Sequence, residues 1–159
     1  MPEERLAVEF VVEDVTILFR NFAGRETQYN REGDRNFVLV LSDEMAEKLI
    51  ADEWNVRTLK ARNEEEVDRP VLDVTVKFGK FPPRIIVITN DGKTRTKFDE
   101  DMLPLLDTFD VLTWDIIINP SFWSFNGKSG VKAYLKSAFI TVREDALERK
   151  YGFYADTEA

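Results

Sequence analysis

The chain has 159 residues, 43% of them hydrophobic and 33% charged, and a formal net charge of −8. That length suits one ordinary domain able to bury a core without covalent staples. With no cysteine and no histidine, disulfides, zinc–thiolate sites, thiol nucleophiles and every serine–histidine or cysteine–histidine mechanism are excluded.

Met1–Arg5 carries no apolar signal core, and no apolar run approaches the ~20 residues of a membrane span. A cytoplasmic protein with no membrane partner is expected. Residues 8–22 are rich in β-branched and aromatic residues and lack Gly and Pro, which predicts one long bent strand or two short ones. Residues 23–35 form a polar loop with Gly24 and Gly33 that carries Arg25, Arg31 and Arg35. A buried strand follows at Phe37–Leu41. Ser42 caps a helix with Asp43 and Glu44 in its first turn and Met45, Leu49 and Ile50 on its apolar face. Residues 60–69 read as a mobile charged stretch.

Between 71 and 78, Leu72, Val74, Val76 and Phe78 alternate with Asp73, Thr75 and Lys77, the period of a half-buried strand. Gly79–Pro83 is a turn, Arg84–Thr89 a strand, and Asn90-Asp91-Gly92 a hairpin signal into Lys93–Lys97. Asp99 caps a helical turn around Met102–Leu106. Val111–Asn119 is a strand with Leu112, Trp114, Ile116 and Ile118 on one side. Trp123–Phe125, an Asn126-Gly127 turn and Val131–Val142 complete the sheet, and residues 144–151 form a terminal helix.

The last strand changes its buried face. Val131, Ala133 and Leu135 share one parity, whereas Ala138, Ile140 and Val142 share the other. Such a strand must be bulged or sharply bent, as small barrels require. The pattern predicts a mainly β protein with one or two short helices, a partly closed barrel over 1–143, and an acidic helix or tail over 144–159.

Acidity is concentrated at the ends. Residues 1–14 carry −4 and residues 144–159 carry −3, which leaves −1 on the stretch between them. A basic groove is compatible with that body. Lys132, Tyr134 and Lys136 project from one strand face, with Lys128, Trp123 and Phe125 beside the turn before it. Lys77, Lys80, Phe81 and Arg84 surround another turn, and Arg20 and Phe22 end the first strand. Cations that neutralise phosphate beside rings that stack on bases are the means by which single strands are held. The competing reading is a core of aromatics under a solvated lysine face.

Gly92-Lys93-Thr94 and Gly127-Lys128-Ser129 resemble the end of a phosphate-binding loop, but Val87 and Phe122 stand where its first glycine is required. Asp99, Glu100 and Asp101, with Asp107, Asp110 and Asp115 downstream, admit a metal-dependent nuclease. Capping and solubility explain them more simply, so no catalytic residue, cofactor or metal is expected. The acidic C-terminal segment reads as a solvated helix or as a tail that docks partners.

Four stretches carry a resemblance: Ile17–Phe22, Asn30–Phe37, the Lys77–Arg84 turn and Asn126–Lys136. Together they look like phage-encoded single-stranded-DNA-binding proteins with an OB-fold. The resemblance implies an OB-like, partly closed five-stranded β-barrel with insertions. It implies non-catalytic binding and protection of single-stranded DNA in phage replication or recombination, in the host cytoplasm, with replication or recombination proteins as further partners. The implied DNA contacts are Arg20, Phe22, Arg31 and Arg35, then Lys77, Lys80, Phe81 and Arg84, and finally Trp123, Phe125, Lys128, Lys132, Tyr134 and Lys136. Whether the chain forms a homo-oligomer is left open. The alternative is a protein-interaction module, a phage β-barrel that binds a host or virion protein.

Overall fold

The computed structural model describes residues 7–90 and 92–143. In chain order these form β1 (Phe10–Val12), β2 (Ile17–Asn21), β3 (Arg35–Val40), α1 (Asp43–Ala51), β4 (Val56–Leu59), β5 (Arg69–Val76), β6 (Arg84–Thr89), β7 (Arg95–Phe98), a 3₁₀ helix (Glu100–Asp107), β8 (Val111–Phe125) and β9 (Lys128–Val142). The expected terminal helix over 144–151 lies outside the described residues.

All nine strands belong to one sheet. Its main path runs β1-β8-β9-β5-β3-β2, with β4 attached to β5, and β6 placed between β9 and β7. The two ends of the path, β1 and β2, do not pair with each other, so the barrel is not closed. Among the described residues the count is nine strands rather than the simple five. The short β4 pairs only with β5, and the short β7 forms the expected hairpin with β6.

β9 organises the fold. One of its edges pairs with β8 along its whole length. The other edge takes β5 at Ala133–Tyr134 and then β6 at Ser137–Val142, both parallel. Between these two partners lies the expected change of face. Ile117 pairs with Ser137 and Ile118 with Leu135, so Lys136 is left unopposed as a bulge. Val131, Ala133 and Leu135 are buried before it, and Ala138, Ile140 and Val142 after it. One inserted residue reverses the pleat and bends the strand.

A second bulge corrects the reading of β8. Val111 pairs with Val142 and Thr113 with Thr141, which throws Leu112 outward to 42% exposure. Ile50 is likewise exposed. Ala46 and Leu49 form the buried face of α1 with Met45 packed beside them, and Ile50 lies about 100° round the helix from Leu49. The caps are as expected. Ser42 Oγ accepts from Met45 N–H at 3.1 Å, and Asp99 Oδ1 accepts from Met102 N–H at 3.2 Å. Residues 8–22 resolve into two short strands, β1 and β2. Of the charged stretch 60–69, residues 60–68 are the β4–β5 connection, in which Asp68 accepts from the Ala61 N–H at 2.8 Å, and Arg69 opens β5.

The core contains an aromatic stack. Phe22 lies between Phe37, 5.7 Å away, and Trp114, 5.9 Å away and within 5° of parallel. The Asp107 carboxylate, from the end of the 3₁₀ helix, accepts the Phe22 and Ala23 N–H groups, each at 2.9 Å. That clamp ties the exit of β2 to the end of the 3₁₀ helix.

Candidate nucleic-acid interface

The outer face of the β8–β9 hairpin follows from its turn. Asn126 and Gly127 have φ of 51° and 77°, the two left-handed residues of a tight hairpin turn whose twist matches the strands. Residues 122–129 are exposed. Directly opposed residues share a face. Phe125 with Lys128, Trp123 with Gly130, Ser121 with Lys132, and Asn119 with Tyr134 therefore form one outward strip. The Trp123 indole donates to Asn55 Oδ1 at 3.3 Å, and Lys132 Nζ lies 5.3 Å from the centre of the Tyr134 ring.

The strip leads into a groove. β5 leaves the edge of β9 after Thr75–Tyr134, and β6 joins it only at Arg84–Ser137. The loop between them carries Pro82 and Pro83, whose fixed φ stiffens it. It stands beside a groove of about 790 Å³ whose floor is the bulged stretch of β9. Lys77, Lys80, Phe81, Arg84, Tyr134 and Lys136 line this groove together, and among the described residues no carboxylate lines it. Phe81 is 87% exposed, with Lys80 Nζ 5.8 Å from its ring centre. The bulge delivers Lys136 to the groove, where it forms an ion pair with Glu9.

One acid beside this face is paired with a cation from outside the groove. Asp73, on the outward parity of β5, takes two hydrogen bonds from Arg57 at 2.7 and 2.9 Å. Those bonds hold the Arg57 pKa above its ordinary value. Exposed pairs of this kind contribute little stability, but they remove negative charge from the face.

Six of the cations and rings expected to contact DNA are thus brought together in the groove, and Trp123, Phe125, Lys128 and Lys132 continue it along the hairpin. The other four are elsewhere. Phe22 is fully buried, so it is a core ring and is not available to stack on a base. Arg20 donates to the Phe109 carbonyl at 2.9 Å and lies 5.7 Å from the Trp114 ring. Arg35 donates to the Phe22 carbonyl at 3.1 Å and to Glu100 at 2.8 Å. Both arginines brace the barrel. Arg31 is exposed in the β2–β3 loop and pairs with Asp34 at 3.8 Å.

The carboxylates have structural work. Asp99 caps, Asp107 clamps Phe22, Asp115 accepts from the Asp14 N–H at 2.8 Å, and Asp110 pairs with Arg143 at 2.9 Å. Asn55 was not legible as part of the face, because its contact with Trp123 spans 68 residues.

A family model of the phage ssDNA-binding domain matches residues 3–159. The chain belongs to that family. Two solved structures of one phage protein agree on the fold of this phage ssDNA-binding domain. The single-stranded DNA-binding protein from bacteriophage Enc34, in complex with ssDNA, is 8% identical with a TM-score of 0.54, covering 86% of this chain and 87% of that one. The same Enc34 protein in another structure gives 10% identity and a TM-score of 0.51 over 83% and 79% of the two chains. Gp2.5, a single-stranded DNA-binding protein encoded by bacteriophage T7, gives 9% identity and a TM-score of 0.46 over 89% and 93%. No curated protein matches the chain in sequence. The Enc34 likeness supports the OB-like architecture of this phage ssDNA-binding domain, and family membership marks it as a nucleic-acid binder.

Proposed function

We propose that the chain binds and protects single-stranded DNA in phage replication or recombination, without catalysing a reaction on it. The contact surface is the groove beside β9 and the outer face of the β8–β9 hairpin. Cations of the groove track the phosphate backbone, and Phe81, Tyr134, Trp123 and Phe125 offer faces for bases. The observation that carries this reading is the meeting of Lys77, Lys80, Phe81, Arg84, Tyr134 and Lys136 around one groove.

The solved Enc34 relative holds ssDNA, and the same class of ligand is proposed here. Residues 1–143 are read as the binding body and 144–159 as an appended acidic segment. No helix among the described residues is long and apolar enough to cross a membrane, and the host cytoplasm is the proposed compartment.

Fluorescence anisotropy of labelled oligo-dT at low and high salt tests the proposal. Binding at low salt that weakens steeply as salt rises is expected, because neutralised phosphates release counterions. Absence of binding at low salt overturns it.

A further inference from the structure

The outer face does not stop at the groove. Arg84, which lines the groove, pairs with Ser137. The next rows outward are Lys97–Ile86–Phe139–Asp115 and Arg95–Ile88–Thr141–Thr113, each crossing β7, β6, β9 and β8 in register. Paired residues share a face, so these rows continue the groove floor beyond the Lys136 bulge. Ile85, Val87, Ala138 and Ile140, on the opposite parity, are buried in the core.

Arg95 and Lys97 are exposed, Phe139 is half-buried, and the Arg95 guanidinium lies 5.9 Å from the centre of the Phe139 ring. The acid of these rows, Asp115, already accepts from the Asp14 N–H. A cation over a ring with a second cation one row away repeats the pairing of Lys80 with Phe81 in the groove.

We infer that single-stranded DNA leaving the groove continues over β6 and β7, with Arg95 and Lys97 on its phosphates and a base against the Phe139–Arg95 pair. This extension rests on the proposed function. Cations on an edge strand also deter pairing with another chain. That role needs no ring beneath the guanidinium and no alignment with the groove.

The test compares the full chain with the double variant Arg95→Ala/Lys97→Ala on oligo-dT of about 4 and about 16 nucleotides, the span of OB-fold site sizes. The variant is expected to bind the short oligomer like the unaltered protein and the long one about tenfold more weakly, the scale of one lost base contact. Its salt slope on the long oligomer falls by about 1.4, two phosphates at about 0.7 each. Unchanged affinity and slope on the long oligomer overturn the extension. A Phe81→Ala variant separates the two readings. If it weakens both lengths while the double variant weakens neither, the groove stands and the extension falls. If the unaltered protein binds neither length, both fall.

Discussion

Gly130 lies directly under the indole of Trp123: a Cβ at that position would stand 2.8 Å from Trp123 Cζ2, 2.9 Å from Nε1 and 2.5 Å from Asn55 Oδ1. The absent side chain lets the ring lie against the sheet and reach Asn55. Gly130→Ala should displace the ring and break that hydrogen bond, at a cost of about 1 kcal/mol in stability. Trp54 and Trp114 are 5% and 8% exposed whereas Trp123 is 38% exposed, so quenching by acrylamide reports mainly on Trp123. Quenching that is unchanged in the variant would show that the ring does not depend on this glycine.

Two phenylalanines should respond in opposite ways. Phe22→Ala removes a ring stacked between Phe37 and Trp114 and should cost about 3–5 kcal/mol of folding stability. Phe81→Ala removes an exposed ring and should change stability by less than about 0.5 kcal/mol. Its cost should appear in oligo-dT affinity, at about 1–3 kcal/mol. Thermal melts paired with binding titrations separate the two, and a Phe81→Ala variant with normal affinity would remove that ring from the interface.

Much of the groove was legible because strand parity is local. Lys132, Tyr134 and Lys136 alternate with Val131, Ala133 and Leu135, and the reversal after Ser137 required a bulge or a sharp bend. The structure puts that bulge at Lys136. What was not legible depends on partners distant in sequence. Phe22 is core because Trp114, far along the chain, stacks on its ring while Asp107, 85 residues on, clamps its backbone. Arg35 is occupied because Glu100, 65 residues on, comes to meet it. The same limit hid β4, which forms only against β5. It also hid the alignment of Arg95 with Phe139, which needs β6 between them.

Salt dependence should count the cations. Lys80 and Lys132 belong to the groove and the hairpin strip respectively. Replacing each by alanine should lower the slope of log affinity against log salt by about 0.7, the value for one phosphate on a single strand. Arg31→Ala, in the β2–β3 loop, should leave the slope unchanged. Equal slopes for all three variants would mean that the groove cations do not contact phosphate.

The Asp107 clamp predicts a stability effect without chemistry. Asp107→Ala leaves the Phe22 and Ala23 N–H groups without their acceptor, at about 1–3 kcal/mol for each group that water does not reach. Denaturant titration should show the loss, and Asp107→Asn, which keeps one oxygen, should recover part of it. A variant as stable as the unaltered protein would show that the clamp is dispensable.

The β4–β5 connection should loosen in acid. The Ala61 N–H holds the Asp68 pKa below its ordinary 3.8. The Arg62 N–H, then the Arg62 side chain, hold Glu66 below its ordinary 4.5. For a carboxylate depressed in the folded state, the stabilisation is fully present above the unfolded pKa and is lost as pH falls through the folded one. The connection should therefore keep its hydrogen bonds above those ordinary values and lose them only below. An NMR titration should find the Ala61 and Arg62 amide shifts moving with midpoints under 3.8 and 4.5 respectively. In Asp68→Asn the Ala61 midpoint should disappear while that of Arg62 persists. Midpoints at or above the ordinary values would mean that these amides do not hold the carboxylates.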